Sequence, residues 1–351
     1  MLDYIVVGMG LAGISFCEVL EREGKTFKVI ADRSQQASQV AGGLYNPVIL
    51  KRFTMAWKAK DQLEMAKPFY GQLEEKLGVK LDYSLRVLRK FASIEEQNSW
   101  FEATDRPGLD YFLSTVMVPN QNPAIDAPFG FGEVKHTGRI DTGALVKAYG
   151  AYLEDKGIID RSTFEFSSLT HHEDHVEYLG IKAKQIVFAC GYGLTDDPYF
   201  GYLPLNGTKG ELLVISAPEF REGNVIKSSV FTIPMGGDKY LVGATYKWKD
   251  KTNEPTDESK KELLEKLATF LKCDFDIVDH VAGIRPTVGD RRTLVGRHPE
   301  HQNLYVLNGF GSRGVLIAPY ASGQLFNYIE KGVALDPEID IQRFTKKYYG
   351  N

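Results

Sequence analysis

Tyr4-Ile5-Val6-Val7 followed at once by Gly8-Met9-Gly10-Leu11-Ala12-Gly13 is the stretch from which the rest of the chain is read. The first four residues form a short, apolar, β-branched run of the kind found in buried parallel strands. Beyond the glycines, Ala12, Phe16, Val19 and Leu20 recur at helical spacing, and Gly24 is a natural stop. Phe27 to Ala31 supplies a second strand, and Asp32 closes the unit. Each glycine has a mechanical reason. Gly8 permits the tight turn, Gly10 lets a pyrophosphate approach the backbone, and Gly13 lets the helix pack closely on the sheet. The helix N-terminus, at Leu11 and Ala12, offers free N–H groups and a partial positive charge to phosphates. Asp32, with Arg33 beside it, is the expected partner of the adenosine ribose. A glycine triplet alone is weak evidence; strand, turn, helix, strand and acid in order point to an adenine dinucleotide. Asp32 stands one residue later than the usual register, in which the acid would occupy the place of Ala31. The fingerprint does not separate FAD from NAD.

The chain has 351 residues, 43% hydrophobic and 25% charged, with a formal net charge of −4. That length accommodates one large domain or two interlocked ones, with a core that needs neither disulfide nor metal. The charge balance shows no bias toward a polyanionic partner. Cys17, Cys190 and Cys273 have no metal-ligand spacing, and the first two read as small buried hydrophobes suited to a reducing compartment. The nearly apolar run Tyr4 to Phe16 is shorter than the roughly 20 residues of a membrane span. No basic flank of a secretory signal precedes it. A cytoplasmic location is expected.

Further along, Ala41-Gly42-Gly43-Leu44-Tyr45-Asn46-Pro47 reads as a loop rich in turn formers. A helix is expected over 54–77, kinked or divided at Pro68. A strand follows over 85–91 and a short helix over 95–103. Asp141 is the expected N-cap of a helix reaching residue 156. A hairpin spans 163–179, and Ile186 to Gly191 is a buried strand. Strands over 212–215, 230–233 and 240–242 and an amphipathic helix over 258–271 complete the middle. Near the end come a strand over 304–307, a glycine turn Gly309 to Gly314 and a helix over 319–330. A strand, glycine turn and helix at both ends imply an α/β fold. Its Rossmann-like nucleotide domain is assembled from discontinuous segments (1–80, 138–205 and 283–351), and an antiparallel-sheet substrate domain (81–137 and 206–282) is inserted.

Five stretches in this order resemble the D-amino-acid oxidase superfamily of FAD enzymes, in particular its glycine oxidase and sarcosine oxidase branch. They are Gly8 to Gly13, Ala41-Gly42-Gly43, Ala189-Cys190-Gly191, Gly283-Ile284-Arg285-Pro286-Thr287, and Gly309-Phe310-Gly311-Ser312-Arg313-Gly314 running to Ala318-Pro319. Gly243-Ala244-Thr245 also fits. The last stretch is most similar to the FAD domain of the bifunctional tRNA wobble-uridine-modifying enzyme. The resemblance implies non-covalent FAD, held by the first glycine turn, Asp32 and Arg33, Gly42 and Gly43, Ala189 and Gly191. The final turn, Gly309, Gly311, Ser312, Arg313, Gly314 and Val315, would direct backbone N–H groups at the flavin's pyrimidine end.

Arg285 matches the arginine that clamps the substrate carboxylate in amino-acid-oxidising relatives, a task suited to a guanidinium fork. A structural arginine in a buried ion pair is the alternative. Arg313 could bind substrate, steady the reduced flavin or brace its loop. Tyr246 could line the pocket as a hydroxyl donor or simply pack, and Lys51-Arg52 is either a basic element over the flavin or a solvated pair. His171-His172-Glu173-Asp174-His175 reads as a polar hairpin tip, and no metal site is expected. The expected activity is oxidation of the C–N bond of a small amine or amino acid by hydride transfer to flavin, with oxygen or another electron acceptor completing the cycle. A tRNA carboxymethylaminomethyl substrate is the alternative, disfavoured by the net charge; a flavin-holding protein without turnover is a third.

Overall fold

The computed structural model describes residues 1–349. Its first sheet has five parallel strands in the order Ile159–Asp160, Phe27–Ile30, Leu2–Val7, Ile181–Phe188 and Leu304–Asn308. Leu294–Arg297 adds antiparallel to the last of these. The start of Ile181–Phe188 also pairs with the hairpin Leu169–His171 and Val176–Tyr178. Alternation along Leu2–Val7 assigns the two faces. Tyr4 and Val6 enter a core shared with the helices Leu11–Arg22, Ala59–Leu77, Thr142–Asp155 and Gly314–Lys331. Ile5 and Val7 enter another, built from Phe188, Leu194, Phe200 and Leu203.

The second sheet has eight strands in the order Asp276–Val288, Leu205–Ser216, Lys239–Gly243, Phe231–Gly236, Val225–Lys227, Val87–Lys90, Phe131–Val134 and Leu113–Val118. It is antiparallel as expected except at one pair. Val225–Lys227 runs parallel to Val87–Lys90. The expected limits at 205/206 and 282/283 fall inside the strands Leu205–Ser216 and Asp276–Val288. No helix is long and apolar enough to cross a membrane among the described residues.

Two helices depart from the sequence pattern for traceable reasons. Residues 54–77 are not all helical: Thr54–Met55 pairs with Val48–Ile49, and the helix starts at Ala59. Pro68 neither ends nor divides it. Pro68 and Glu64, the residue whose carbonyl loses its donor, both face solvent, where water can replace the missing bond. The C-terminal helix begins at Gly314, five residues before the expected start, and carries Pro319 inside it. The carbonyl that Pro319 cannot serve belongs to Val315, and it accepts a 2.9 Å hydrogen bond from the Tyr70 hydroxyl. Both residues are buried, so the bond is made without water.

His298, only 3% exposed, holds the turn after Leu294–Arg297. Its Nδ1 accepts from the amides of Glu300 (3.2 Å) and His301 (3.1 Å), which requires that nitrogen to be unprotonated.

Two stability outcomes are expected. Tyr70→Phe leaves the buried Val315 carbonyl unpaired and should cost about 1–3 kcal/mol in chemical denaturation. Burial, with the charge of His301 second, draws the His298 pKa down to about 4. The unfolded chain binds this proton near pH 6.5 and the folded one only near 4, so stability present at pH 7 is lost as pH falls through that window. His298→Asn keeps an acceptor that does not titrate; its Tm should therefore fall less than the parent's between pH 7 and 4.5.

Candidate cofactor and substrate cavity

The carboxyl ends of the parallel strands open into a cavity of about 1,060 Å³ between the two sheets. Small-molecule sites run to roughly 1,000 Å³, so there is room for a large ligand. Two helices present their N-termini to it. Gly10, Leu11 and Ala12 line it from the first helix, and Gly314, Val315 and Leu316 from the last. Neither helix has a side-chain cap from its own N-cap residue or an acid in its first turn, so both partial positive charges remain available to an anion. Ser38, which the sequence did not single out, accepts from the Leu11 amide at 3.1 Å.

Gly8, Gly13 and Gly309 do not line the cavity; they let backbones meet behind it. A Cβ on Gly13 would stand 2.0 Å from the Gly8 carbonyl oxygen, and one on Gly8 2.5 Å from that of Ala189. Gly43, at φ +66°, presses against Ile140, while Gly42 rests on Phe231, Ile233 and Leu241 of the second sheet. Hydrogen bonds knit the remaining motifs together. The Asn308 amide donates to Gly191 O at 3.0 Å, and the Gly311 N–H to Pro286 O at 2.9 Å. Ala189, Gly191, Gly311, Ser312 and Arg313 all reach the cavity wall.

Asp32 and Arg33 also line it. Strand pairing ends at Ile30. The Asp32 carboxylate accepts from the Ser34 amide (3.0 Å) and hydroxyl (2.6 Å) and from Thr163 Oγ1 (3.0 Å). Those bonds outweigh burial and leave its pKa lowered. The one-residue displacement thus comes with a loop that fixes the carboxylate as an anion.

The cavity wall is cationic although the chain is acidic. Arg33, Lys51, Lys147, Arg161, Lys227, Arg285 and Arg313 face Asp32 and Glu154 there, and Glu154 is already paired with Arg161 at 2.7 Å. Arg285 rises from Asp276–Val288 and lies across Gly210 of the neighbouring strand; a Cβ on Gly210 would meet the guanidinium at 2.0–2.3 Å. Its Nη1 donates to Thr245 O at 3.2 Å. Burial lowers its pKa and Tyr246 partly offsets that; it makes no ion pair among the described residues. Tyr246 is 56% exposed, and its ring stands 4.5 Å from the guanidinium carbon; it covers Arg285 with a π-face. Arg313 has a buried Nη1 without a partner among the described residues, and burial followed by repulsion from Arg292 lowers its pKa. Lys51 reaches the cavity and Arg52 does not. Cys190 lines it, and burial raises its thiol far above the range of a reactive thiolate. Lys227 and Phe231 belong to the wall as well, and sequence reading passed over both. The signal available was a lysine closing a short β-branched run, Val225-Ile226-Lys227.

His172, His175 and Glu177 bring ligand atoms within 4.8 Å of one another at the hairpin tip, away from the cavity. The two rings are stacked at 4.2 Å, and Asp174 takes His175 Nδ1 at 2.7 Å.

The segment carrying Tyr246 is held from beneath. Lys209, fully buried beside the cavity-lining Gly210, donates to Asp250 Oδ2 (2.5 Å), Thr252 Oγ1 (3.1 Å) and the Glu254 carbonyl. Glu211, also buried, accepts from the Thr256 amide (2.7 Å) and hydroxyl (2.9 Å).

Residues 3–328 match the family described as FAD dependent oxidoreductase (DAO). The glycine oxidase of Pseudomonas putida is 30% identical over 360 residues, covering 96% of each chain. The tRNA 5-methylaminomethyl-2-thiouridine biosynthesis bifunctional protein MnmC of Legionella pneumophila subsp. pneumophila is 24% identical over 219 residues. That match covers 51% of this chain and 32% of the longer protein. Among solved structures, the glycine oxidase of Geobacillus kaustophilus superposes with a TM-score of 0.81 at 18% identity, over 98% and 97% of the two chains.

Lys209 also stands 3.6 Å from the buried Glu211 carboxylate, so Lys209→Met should destabilise the fold by about 3–5 kcal/mol, the usual cost of breaking a buried ion pair. Limited proteolysis should then cut between residues 247 and 255 faster than in the parent.

Proposed function

The chain belongs to the DAO family of FAD-dependent oxidoreductases, and within it we propose oxidation of the C–N bond of a small amine or amino acid. The observation that carries this is the Arg285 guanidinium, lying along the cavity wall with no carboxylate partner among the described residues. An arginine so placed is a vacant fork for a substrate carboxylate. The names of the full-length relatives, glycine oxidases, support the same substrate class.

The residues fit the cofactor by their chemistry. Gly10, Leu11 and Ala12 would take the pyrophosphate, and Asp32 with Arg33 the adenosine end. Gly42, Gly43, Ala189 and Gly191 would flank the ligand where side chains leave it room. Gly311 to Val315 would direct amides at the flavin's pyrimidine end, and the attachment would be non-covalent. The chemistry the flavin supplies when bound is acceptance of a hydride from the α-carbon of the neutral amine, which leaves an imine for water to hydrolyse. Arg285 orients that α-carbon by fixing the carboxylate, Tyr246 closes over the ion pair, and Arg313 adds a second positive charge. Orientation and exclusion of water, rather than a general base, are what these side chains provide.

The test is anaerobic mixing of the FAD-loaded protein with glycine, sarcosine, D-amino acids and, separately, carboxymethylaminomethyl-modified tRNA. Bleaching of flavin absorbance by amino acids is expected; bleaching by the modified tRNA alone would overturn the proposal. Peroxide formed in air would identify oxygen, rather than another electron acceptor, as oxidant. Arg285→Met should raise the apparent Kd for the carboxylated amine about 100-fold, in line with roughly 2–3 kcal/mol for a charge-assisted bond. An unchanged Kd would remove the clamp.

A further inference from the structure

Besides Arg285 and Arg313, a lysine looks into the cavity without an ion pair among the described residues. Lys227 ends the strand Val225–Lys227. The charged groups that bear on it are Arg89 and Lys266. Both are themselves cations, and both are occupied, Arg89 by Glu96 and Lys266 by Glu262, each at 2.6 Å. Lys227 makes no ion pair among the described residues, and its ammonium stands 5.2 Å from the centre of the Phe231 ring. An ammonium drawn out of water without a counter-charge is unfavourable. Accordingly, burial and the two neighbouring cations bring its pKa down to about 8. Nothing in the fold requires a lysine here, which marks it as a ligand-directed residue.

Strand register fixes where it stands relative to Arg285. Lys227 is opposite Phe231, Phe231 opposite Gly243, and Gly243 opposite Leu212. Directly opposite residues share a face, so these four form a row across the cavity side of the sheet. Leu212 is two residues from Gly210 on the same strand, and Gly210 is the residue on which the Arg285 guanidinium lies. The ammonium, over Phe231, is therefore two strands from the strand beneath the guanidinium. At about 4.8 Å per strand across the sheet, and roughly 7 Å along it for the two residues from Leu212 to Gly210, the two positive heads stand on the order of 12 Å apart. A charge-assisted bond of about 2.8 Å at each end leaves roughly 6 Å between the ligand oxygens. One carboxylate cannot span that interval. Two carboxylates joined by a short chain do, with the Leu212 and Phe231 side chains beneath the connecting methylenes.

We infer that the substrate is an amino acid bearing a second carboxylate, one end held by Arg285 and the other by Lys227. This rests on the amine-oxidising reading and narrows it. The experiment compares anaerobic flavin reduction by iminodiacetate, D-aspartate and D-glutamate with reduction by glycine, sarcosine and D-alanine, in the parent, Lys227→Met and Lys227→Arg. At least one dicarboxylate should exceed every monocarboxylate in kcat/KM by tenfold or more. Lys227→Met should cut that ratio 30- to 100-fold, mainly through KM, and Lys227→Arg should restore most of it. Reduction by monocarboxylates with no dicarboxylate preference would overturn the inference and leave the amine-oxidising reading standing. Equal losses for both classes in Lys227→Met would also overturn it, by assigning the lysine to the flavin or to oxygen. No reduction by either class would overturn both.

Discussion

Between the first strand and the first helix there is room for backbone and nothing else. The helix at Leu11 is seated against the carbonyl of Gly8, and Gly8 against that of Ala189, at distances that a single methyl group would break. This close approach puts the helix N-terminus at the carboxyl edge of the sheet rather than a side-chain's width above it. The final helix arrives at the same edge through Gly309, where a Cβ would meet Val288 at 2.6 Å. Two helix dipoles thus converge on one cavity, and the second sheet closes it with Arg285 and Lys227. Everything chemical in the molecule is placed relative to those backbone contacts.

How much of this was legible in the sequence depended on how local its cause was. The strand, glycine turn and helix at residues 4–20 form a self-contained signal, and the structure reproduces it. Arg285, Arg313 and Tyr246, marked by their motifs, all stand in the cavity wall. The start of the last helix was hidden because Pro319 looked like a beginning. Only Tyr70, 245 residues away from Val315 in sequence, makes a proline tolerable inside it. Lys227 was hidden for a similar reason: a three-residue strand acquires meaning from Val87–Lys90 and Phe231–Gly236 on either side. For Tyr246 the sequence left open a hydroxyl donor or a packing residue; its ring lies over the Arg285 guanidinium. The displacement of Asp32 was visible, but Thr163, which holds it, was not.

The contrast between a net charge of −4 and a cationic cavity shows why whole-chain charge is a poor guide to a concave site. Surface acids set the average. The arginines and the lysine that matter are turned inward, where lower dielectric makes each one count for more. Cations held apart from carboxylates weaken the empty protein and strengthen its complexes with anions. Thermal stability and ligand occupancy are therefore coupled, and the holoprotein is the more robust form.

The position of Leu2–Val7 has a consequence for how the molecule is made. The chain's first strand lies at the centre of the parallel sheet, with Phe27–Ile30 on one edge and Ile181–Phe188 on the other; Leu304–Asn308 joins beyond that. At about 5–20 residues per second on a ribosome, its second edge stays open for roughly ten to forty seconds. The parallel sheet is complete only once Leu304–Asn308 has emerged. During that interval a row of β-branched side chains and unpaired amides is exposed to other nascent chains. Productive synthesis is thus a race between late pairing and aggregation, and the glycine turn that opens the sequence is among the last parts of the protein to become a binding site.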